Sequence, residues 1–251
     1  MNLSKKVLTS VLLLCGLAHG QQIRNANELL QAMHDRYANS WYRTMTFTQK
    51  STTYNADGST KVETWYEAGS LPGKLRVDIG PIKDGNGFLL ADGHFTIFRE
   101  GKVTVSRPLV NLLLLLGFDV YCQPSETTVK TLANEGIDLS KFHQENWQGM
   151  PVYVVGALEG DLSAKQFWVE KDRLLFVRVF QPARDDPKKF QDIHFTDYRK
   201  LEKAWIAARV EVHVADQLVF SEDYSDIHAE VKLDPAIFDA KQFATAHWEK
   251  P

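Results

Sequence analysis

The sequence predicts a mainly β protein of the α+β class, in which a single, strongly curved antiparallel sheet is covered by short helices. Apolar and polar residues alternate with a period of two in many short segments, which is typical of strands. Turn-forming pairs that close β-hairpins separate these segments. The pairs are Asp57-Gly58, Pro72-Gly73, Asp84-Gly85, Asp92-Gly93, Glu100-Gly101 and Gln148-Gly149. A leucine-rich segment with helical character lies between two β-rich halves.

The N-terminal segment, residues 1–20, has the pattern of a signal peptide. Lys5 and Lys6 precede an apolar run over residues 7–17, and Ala18-His19-Gly20 follows as a small-x-small cleavage site. The run is shorter than the roughly 20 residues that span a bilayer, which disfavours a membrane anchor. We therefore expect export and cleavage after Gly20, which leaves residues 21–251 as one domain.

Composition excludes some classes of protein. The 251 residues are 44% hydrophobic and 24% charged, with a formal net charge of −3. Such a chain can bury a globular core and has no basic surface for nucleic acid. Cys15 lies in the predicted signal peptide, so Cys122 would remain alone and form no intramolecular disulfide.

A helix is predicted at the start of the mature chain. Leu29, Met33 and Tyr37 recur four residues apart, as on one face of a helix. Asn25 is the expected N-cap, with Glu28 three positions later. From residue 41 the period changes to two, which predicts the first strand.

Two later strands differ in their patterns. In residues 74–79, Lys74, Arg76 and Asp78 alternate with apolar residues, which predicts one buried and one solvated face. Residues 95–98 are apolar on both sides of the strand, which predicts cover on each face.

The strand pattern is interrupted by two helical segments, residues 109–118 and 124–133. The first contains five consecutive leucines, residues 112–116, and leucine favours helix over strand. The leucines are core if this helix packs permanently, and a lid over an apolar pocket if it packs loosely. Strands are expected to resume at 150–158, 165–170, 174–181, 189–198, 205–214 and 217–224. Asp234 and Pro235 are expected to begin a final helical turn.

Catalytic and metal-binding patterns are weak. No serine-hydrolase elbow, zinc-protease motif, phosphate loop or dinucleotide fingerprint is present, so we expect no enzyme and no cofactor. Asp192 with His194, and Glu211 with His213, each offer two metal ligands, but two ligands do not make a site. We expect these four residues to be exposed on an outer strand face, with no metal, and Cys122 to be a buried residue rather than a nucleophile.

Four short segments, in the same order along the chain, resemble the LolA-like family of periplasmic lipoprotein carriers and outer-membrane lipoprotein-sorting proteins. They are residues 47–50 (Phe-Thr-Gln-Lys), 71–77 (Leu-Pro-Gly-Lys-Leu-Arg-Val), 89–98 (Leu-Leu-Ala-Asp-Gly-His-Phe-Thr-Ile-Phe) and 233–238 (Leu-Asp-Pro-Ala-Ile-Phe). The resemblance implies an incomplete barrel around an apolar cavity with helices as a lid. It departs at Leu71, where the family has an arginine that holds the lid shut.

The resemblance implies a carrier in the periplasm for lipids or lipoprotein acyl chains, with an inner-membrane donor and an outer-membrane acceptor as candidate partners. We expect a monomer, which suits a protein that must pass its cargo on. The strand alternation selects the residues expected to line the ligand site. The expected walls are Phe47, Trp65, Leu75, Val77, Phe95 and Ile97, and the expected lid residues are Leu113, Leu116 and Phe118. Two alternatives remain open: an enzyme that positions a small aromatic substrate in the same half-barrel, and a lipoprotein-sensing or interaction module with a dry, packed interior.

Overall fold

The computed structural model describes residues 22–183, 186 and 189–248; the predicted signal peptide and its cleavage site lie outside this part of the chain. Within it, thirteen strands form one antiparallel sheet that stays open, accompanied by three short α-helices. The predicted fold class is therefore confirmed. No helix among these residues combines the length and the apolar character that a membrane crossing requires.

The elements have the following bounds. The helices are α1 (Ala26–Tyr37), α2 (Leu112–Gly117) and α3 (Ser125–Asn134). The strands are β1 (Thr44–Tyr54), β2 (Thr60–Ser70), β3 (Lys74–Ile79), β4 (Gly87–Ala91), β5 (His94–Arg99), β6 (Lys102–Pro108), β7 (Phe142–Trp147), β8 (Met150–Val155), β9 (Gln166–Glu170), β10 (Phe176–Pro182), β11 (Phe190–Leu201), β12 (Ala204–Val214) and β13 (Gln217–Ala229). Short 3₁₀ turns cover Ile82–Asp84, Asp119–Tyr121 and Pro235–Phe238.

The strand order explains where the helices lie. The sheet runs β6-β5-β4-β3-β2-β1-β13-β12-β11-β10-β9-β8-β7, so β6 and β7 are its two edges although they are consecutive in sequence. The connection between them, residues 109–141, must span the sheet from edge to edge. It carries α2 and α3 across one face, which we call the inner face.

Helix α1 begins as predicted. The side chain of Asn25 accepts a hydrogen bond from the Glu28 amide at 2.9 Å. The buried face of α1 contains Leu29 and Met33, and Tyr37 at its end packs edge-on against Tyr121 with ring centroids 5.4 Å apart. The helix thus closes one end of the apolar core on the inner face.

The outer face of β3 contradicts the sequence prediction. Arg76 and Asp78 were expected in solvent, yet both side chains are fully buried and joined by a 2.8 Å ion pair. Arg76 also donates to the carbonyls of Phe243 and Ala246, because the C-terminal residues lie over this face. Alternation within one strand could not reveal cover supplied by a segment at the far end of the chain.

The same C-terminal cover confirms the prediction for β5. The ring of Phe98, on the outer face, stacks on Phe243 with centroids 3.9 Å apart, while Phe95 belongs to the inner core. Asp234 caps the Pro235–Phe238 turn as predicted and accepts from the Ala236 amide.

Two strands extend beyond the sequence prediction. Strand β13 continues past residue 224 because it pairs with β1, where Met45 lies opposite Ala229. Strand β7 was not among the predicted strands and forms by pairing along β8, from Phe142 opposite Val155 to Trp147 opposite Met150.

Candidate ligand cavity

A small cavity lies between the inner face of the sheet and helix α2, where the sequence predicts the ligand site. Its volume is about 80 Å³. Strands from both ends of the chain form its wall, and α2 with the residues flanking it forms its cover. It is lined by Met45, Phe47, Trp65, Glu67, Leu75, Val77, Phe88, Asn111, Leu113, Leu114, Phe118, Phe195, Glu222 and Tyr224.

The structure brings most of the predicted site residues together. Six of them line the cavity: Phe47, Trp65, Leu75, Val77, Leu113 and Phe118. Phe95 and Ile97 belong to the same inner-face core but do not border the cavity. Leu116 is fully buried in that core, also away from the cavity.

The cavity is too small for an acyl chain in this conformation. A dry apolar cavity of roughly 150 Å³ is the size that accommodates one benzene molecule. The cavity beneath α2, with its volume of about 80 Å³, is smaller still. A long ligand can therefore enter only if a covering element moves.

The leucines of α2 are not equivalent. Asn111 caps this six-residue helix by accepting hydrogen bonds from the amides of Leu113 and Leu114 at 2.9 and 3.2 Å. Leu113 lines the cavity and is half-buried, whereas Leu116 is fully buried. Leu113 therefore faces the cavity, whereas Leu116 is part of the packed core.

Two carboxyl groups lie in the otherwise apolar cavity wall. Glu67 is buried, and burial together with the charge of Glu222 raises its pKa well above the usual value. Burial also raises the pKa of Glu222 to about 7, although the hydrogen bond donated by Tyr224 acts in the opposite direction and lowers it. The pair therefore keeps its protons to a higher pH than ordinary carboxyl groups do, which lowers the cost of holding it in an apolar site.

Neither carboxyl group was among the residues predicted to line the site. Glu67 lies two residues after Trp65 on β2, so both side chains project from the same face of the strand. The alternation that selected Trp65 therefore also points to Glu67. Glu222 and Tyr224 come from β13, and only the pairing of β1 with β13, in which Gln49 lies opposite Tyr224, brings them to the cavity.

The cover is tied to the sheet by two polar contacts. Asp119, in the turn after α2, accepts a hydrogen bond from the Gly73 amide at 3.0 Å. Arg43 donates to the Cys122 carbonyl at 2.7 Å. Leu71, the position at which the sequence departs from the resembling family, is buried in the inner core.

Cys122 is buried, as predicted. Burial raises the pKa of its thiol to about 12, so the group is protonated at neutral pH. A protonated thiol is a poor nucleophile, in keeping with the predicted packing role.

A larger opening of about 1090 Å³ lies beside helices α1 and α3. Its lining begins at Gln22, the first described residue, and most of its side chains are polar or charged, including Glu28, Arg36, Glu126 and Lys130. The smaller cavity is the better candidate for an apolar ligand. Its wall is mostly apolar, and the helix that covers it is followed by residues that are hydrogen-bonded to the sheet.

The two histidine–carboxylate pairs lie side by side on the other face of the sheet. Contrary to the prediction, Asp192, His194, Glu211 and His213 are not exposed but partly buried. One potential ligand atom from each of His194, Glu211 and His213 lies within 4.8 Å of the others.

Three solved structures have a similar fold. A DUF1329 family protein from Desulfovibrio piger is 16% identical, with a TM-score of 0.54 over 85% of this chain and 95% of the other. A LolA superfamily protein from Nitrosomonas europaea is 13% identical, with a TM-score of 0.52 over 86% and 98%. A domain described as a putative outer membrane lipoprotein-sorting protein, from Vibrio parahaemolyticus, is 16% identical, with a TM-score of 0.52 over 88% and 100%.

Comparison with protein family models and with curated proteins gives no match. The likeness to the three solved structures extends over nearly their whole length. This chain therefore has the LolA-like fold that its sequence segments predicted.

Proposed function

We propose that the protein is a periplasmic carrier or binding protein for lipoprotein acyl chains or comparable lipids, and that it catalyses no reaction. The supporting observation is the apolar cavity of the inner face, covered by a six-residue helix whose Leu113 is only half-buried. The LolA-like fold agrees with this proposal.

Binding requires α2 to move away from the sheet. Each buried CH₂ group contributes roughly 0.8 kcal/mol, so an acyl chain with about twelve of them gains about 10 kcal/mol. That gain opposes the loss of the contacts of Leu113 and Phe118 with the cavity wall. An acyl chain in the opened cavity would lie against Phe47, Trp65, Leu75 and Val77, with Phe95 and Ile97 extending the wall.

The remaining features of the proposal concern the cellular setting. Residues 1–20 act as a cleaved signal peptide, and residues 21–251 work as one domain and as a monomer that passes its cargo on. An inner-membrane donor and an outer-membrane acceptor are the proposed partners.

Lipid retention tests this proposal. The protein is purified from the periplasm of a bacterial host, extracted with organic solvent, and the extract is analysed by mass spectrometry. We expect phospholipid or acylated peptide in near-stoichiometric amount, and a further increase when vesicles are added. A clean extract and no uptake from vesicles would refute carriage.

One alternative has its own support. The volume of about 80 Å³ means that the inner face is almost filled by the protein's own side chains, as in an interaction or lipoprotein-sensing module with a packed interior. Such a module would give the clean extract and would still bind a lipoprotein through its surface.

A further inference from the structure

The pairing of β11 with β12 brings four potential metal ligands together. His194 lies directly opposite Glu211, and Asp192 lies directly opposite His213. Alternate residues of a strand share a face, and directly opposed side chains have Cβ atoms about 4.5–5.5 Å apart. All four side chains therefore project from the outer face of the sheet, away from the ligand cavity.

Three of these side chains approach within reach of one ion. The two imidazole rings of His194 and His213 have centroids 4.8 Å apart. One nitrogen of each ring and one carboxylate oxygen of Glu211 lie within 4.8 Å of one another. Zn–N and Zn–O bonds of about 2.0–2.2 Å place tetrahedral ligand atoms about 3.3 Å apart, a distance that small side-chain rotations can reach.

Both histidines have a buried ring nitrogen. These atoms are Nε2 of His194 and Nδ1 of His213. Nε2 of His194 lies 2.9 Å from Oδ1 of Asp192, which is its charged neighbour, so Nδ1 of His213 is the atom left without a partner. A buried polar atom without a partner is costly, and a bound metal would satisfy it.

The surrounding arginines determine which carboxylate is available. Arg178 binds both oxygens of Asp192, at 2.8 and 2.7 Å. Arg209 donates to Oε1 of Glu211 at 2.8 Å, which leaves Oε2 to coordinate. Glu211 is therefore the carboxylate ligand, and Asp192 positions His194.

We propose that His194, His213 and Glu211 bind a divalent transition-metal ion of the zinc class on the outer face of β11 and β12. Two imidazoles and one carboxylate suit Zn²⁺, Cu²⁺ or Ni²⁺ better than Mg²⁺ or Ca²⁺, which prefer oxygen ligands. Water completes the coordination. The ion would join two neighbouring strands and stabilise the sheet, whether or not the inner cavity binds lipid.

Zinc binding to the untagged protein tests the proposal. The protein is treated with chelator, dialysed and titrated with Zn²⁺ in a calorimeter; we expect one equivalent to bind. At a free Zn²⁺ concentration about 100 times Kd, the melting temperature should rise by several degrees. His194→Ala and His213→Ala should each weaken binding at least about tenfold, since each removes one of three ligands.

The chain offers a matched control. His143 has a carboxylate neighbour, Glu145, at 2.7 Å, but the two do not belong to a three-ligand group among the described residues. His143→Ala should therefore bind Zn²⁺ like the wild type. Absence of saturable binding, or equal binding by the His194→Ala and His143→Ala variants, would overturn the proposal.

Fluorescence gives a local readout that does not depend on the alanine variants folding. The ring of Trp147 lies 5.0 Å from that of His194. Stoichiometric Cu²⁺ should quench the fluorescence of the wild-type protein, an excess of the chelator EDTA should restore it, and Trp147→Phe should remove much of the quenched signal. Quenching that Trp147→Phe leaves unchanged would place copper elsewhere and contradict this site.

Discussion

The amide of Gly73 donates a hydrogen bond to Oδ1 of Asp119 over 3.0 Å and so joins the β2–β3 turn to the turn that follows α2. Asp119 is buried, and burial raises its pKa from 3.8 to about 7. The same β2–β3 turn contains Leu71, where the resembling family has an arginine. The cover of the cavity is thus held by a buried carboxyl group that accepts from the backbone.

Asp119 should make stability fall as pH rises. Its pKa is about 7 in the folded protein and near 3.8 when unfolded, so the unfolded state binds fewer protons between these values. The contribution of Asp119 to the free energy of unfolding is most favourable below about pH 4 and is lost by about pH 7. Denaturation of the Asp119→Asn variant should show a flatter pH profile than the wild type, because the amide carries no charge.

A second substitution separates charge from hydrogen bonding. Asp119→Ala also lacks the acceptor for Gly73, and at pH 4 it should be about 1 kcal/mol less stable than Asp119→Asn. Equal stability of the two variants at pH 4 would show that the contact with Gly73 contributes nothing.

Leu113 and Leu116 should respond differently to the same substitution. Leu113→Asp places a charge at a half-buried position, so the fold should survive with a modest loss of stability while lipid retention falls. Leu116→Asp buries a charge in the core and should unfold the protein or destabilise it by more than about 3 kcal/mol. Circular dichroism and lipid extraction measure the two effects.

The matched outcomes distinguish lid from core. If Leu113→Asp unfolds the protein as fully as Leu116→Asp does, the whole segment is packed core. If Leu113→Asp folds and still retains lipid, the ligand lies outside the cavity beneath α2.

The buried pair Arg76 and Asp78 should behave as one unit. Removing one partner leaves an uncompensated buried charge, so Arg76→Met or Asp78→Asn alone should cost roughly 3–5 kcal/mol. The double variant should cost clearly less than the sum of the single ones. Urea denaturation of all four proteins measures this coupling, and additive single costs would argue against it.

Glu222 should reduce stability at alkaline pH. Its pKa is raised from 4.5 to about 7 by burial, so its contribution to stability is lost as pH rises from about 4.5 to about 7. Glu222→Gln should therefore raise the melting temperature by a few degrees at pH 8 and change it little at pH 4. The exposed Glu126→Gln on α3 serves as the control, and a similar response of both variants would exclude burial as the cause.

The sequence by itself determined the features that depend on local contacts. Asn25 and Asp234 cap their helical turns through groups close to them in the chain. The inner-face positions of Phe47, Trp65 and Val77 follow from the period-two geometry of a strand, which needs no knowledge of the partner strand. These local rules also fixed the mainly β class and the position of α2.

Only the tertiary structure decided which faces are covered and which residues meet. Arg76 is buried because the C-terminal segment lies over β3, and Glu222 reaches the cavity because β13 pairs with β1. His194 and Glu211 are neighbours because of the register between β11 and β12. Such contacts join residues far apart in the chain, so they depend on strand order and register, which the alternation within one strand does not encode.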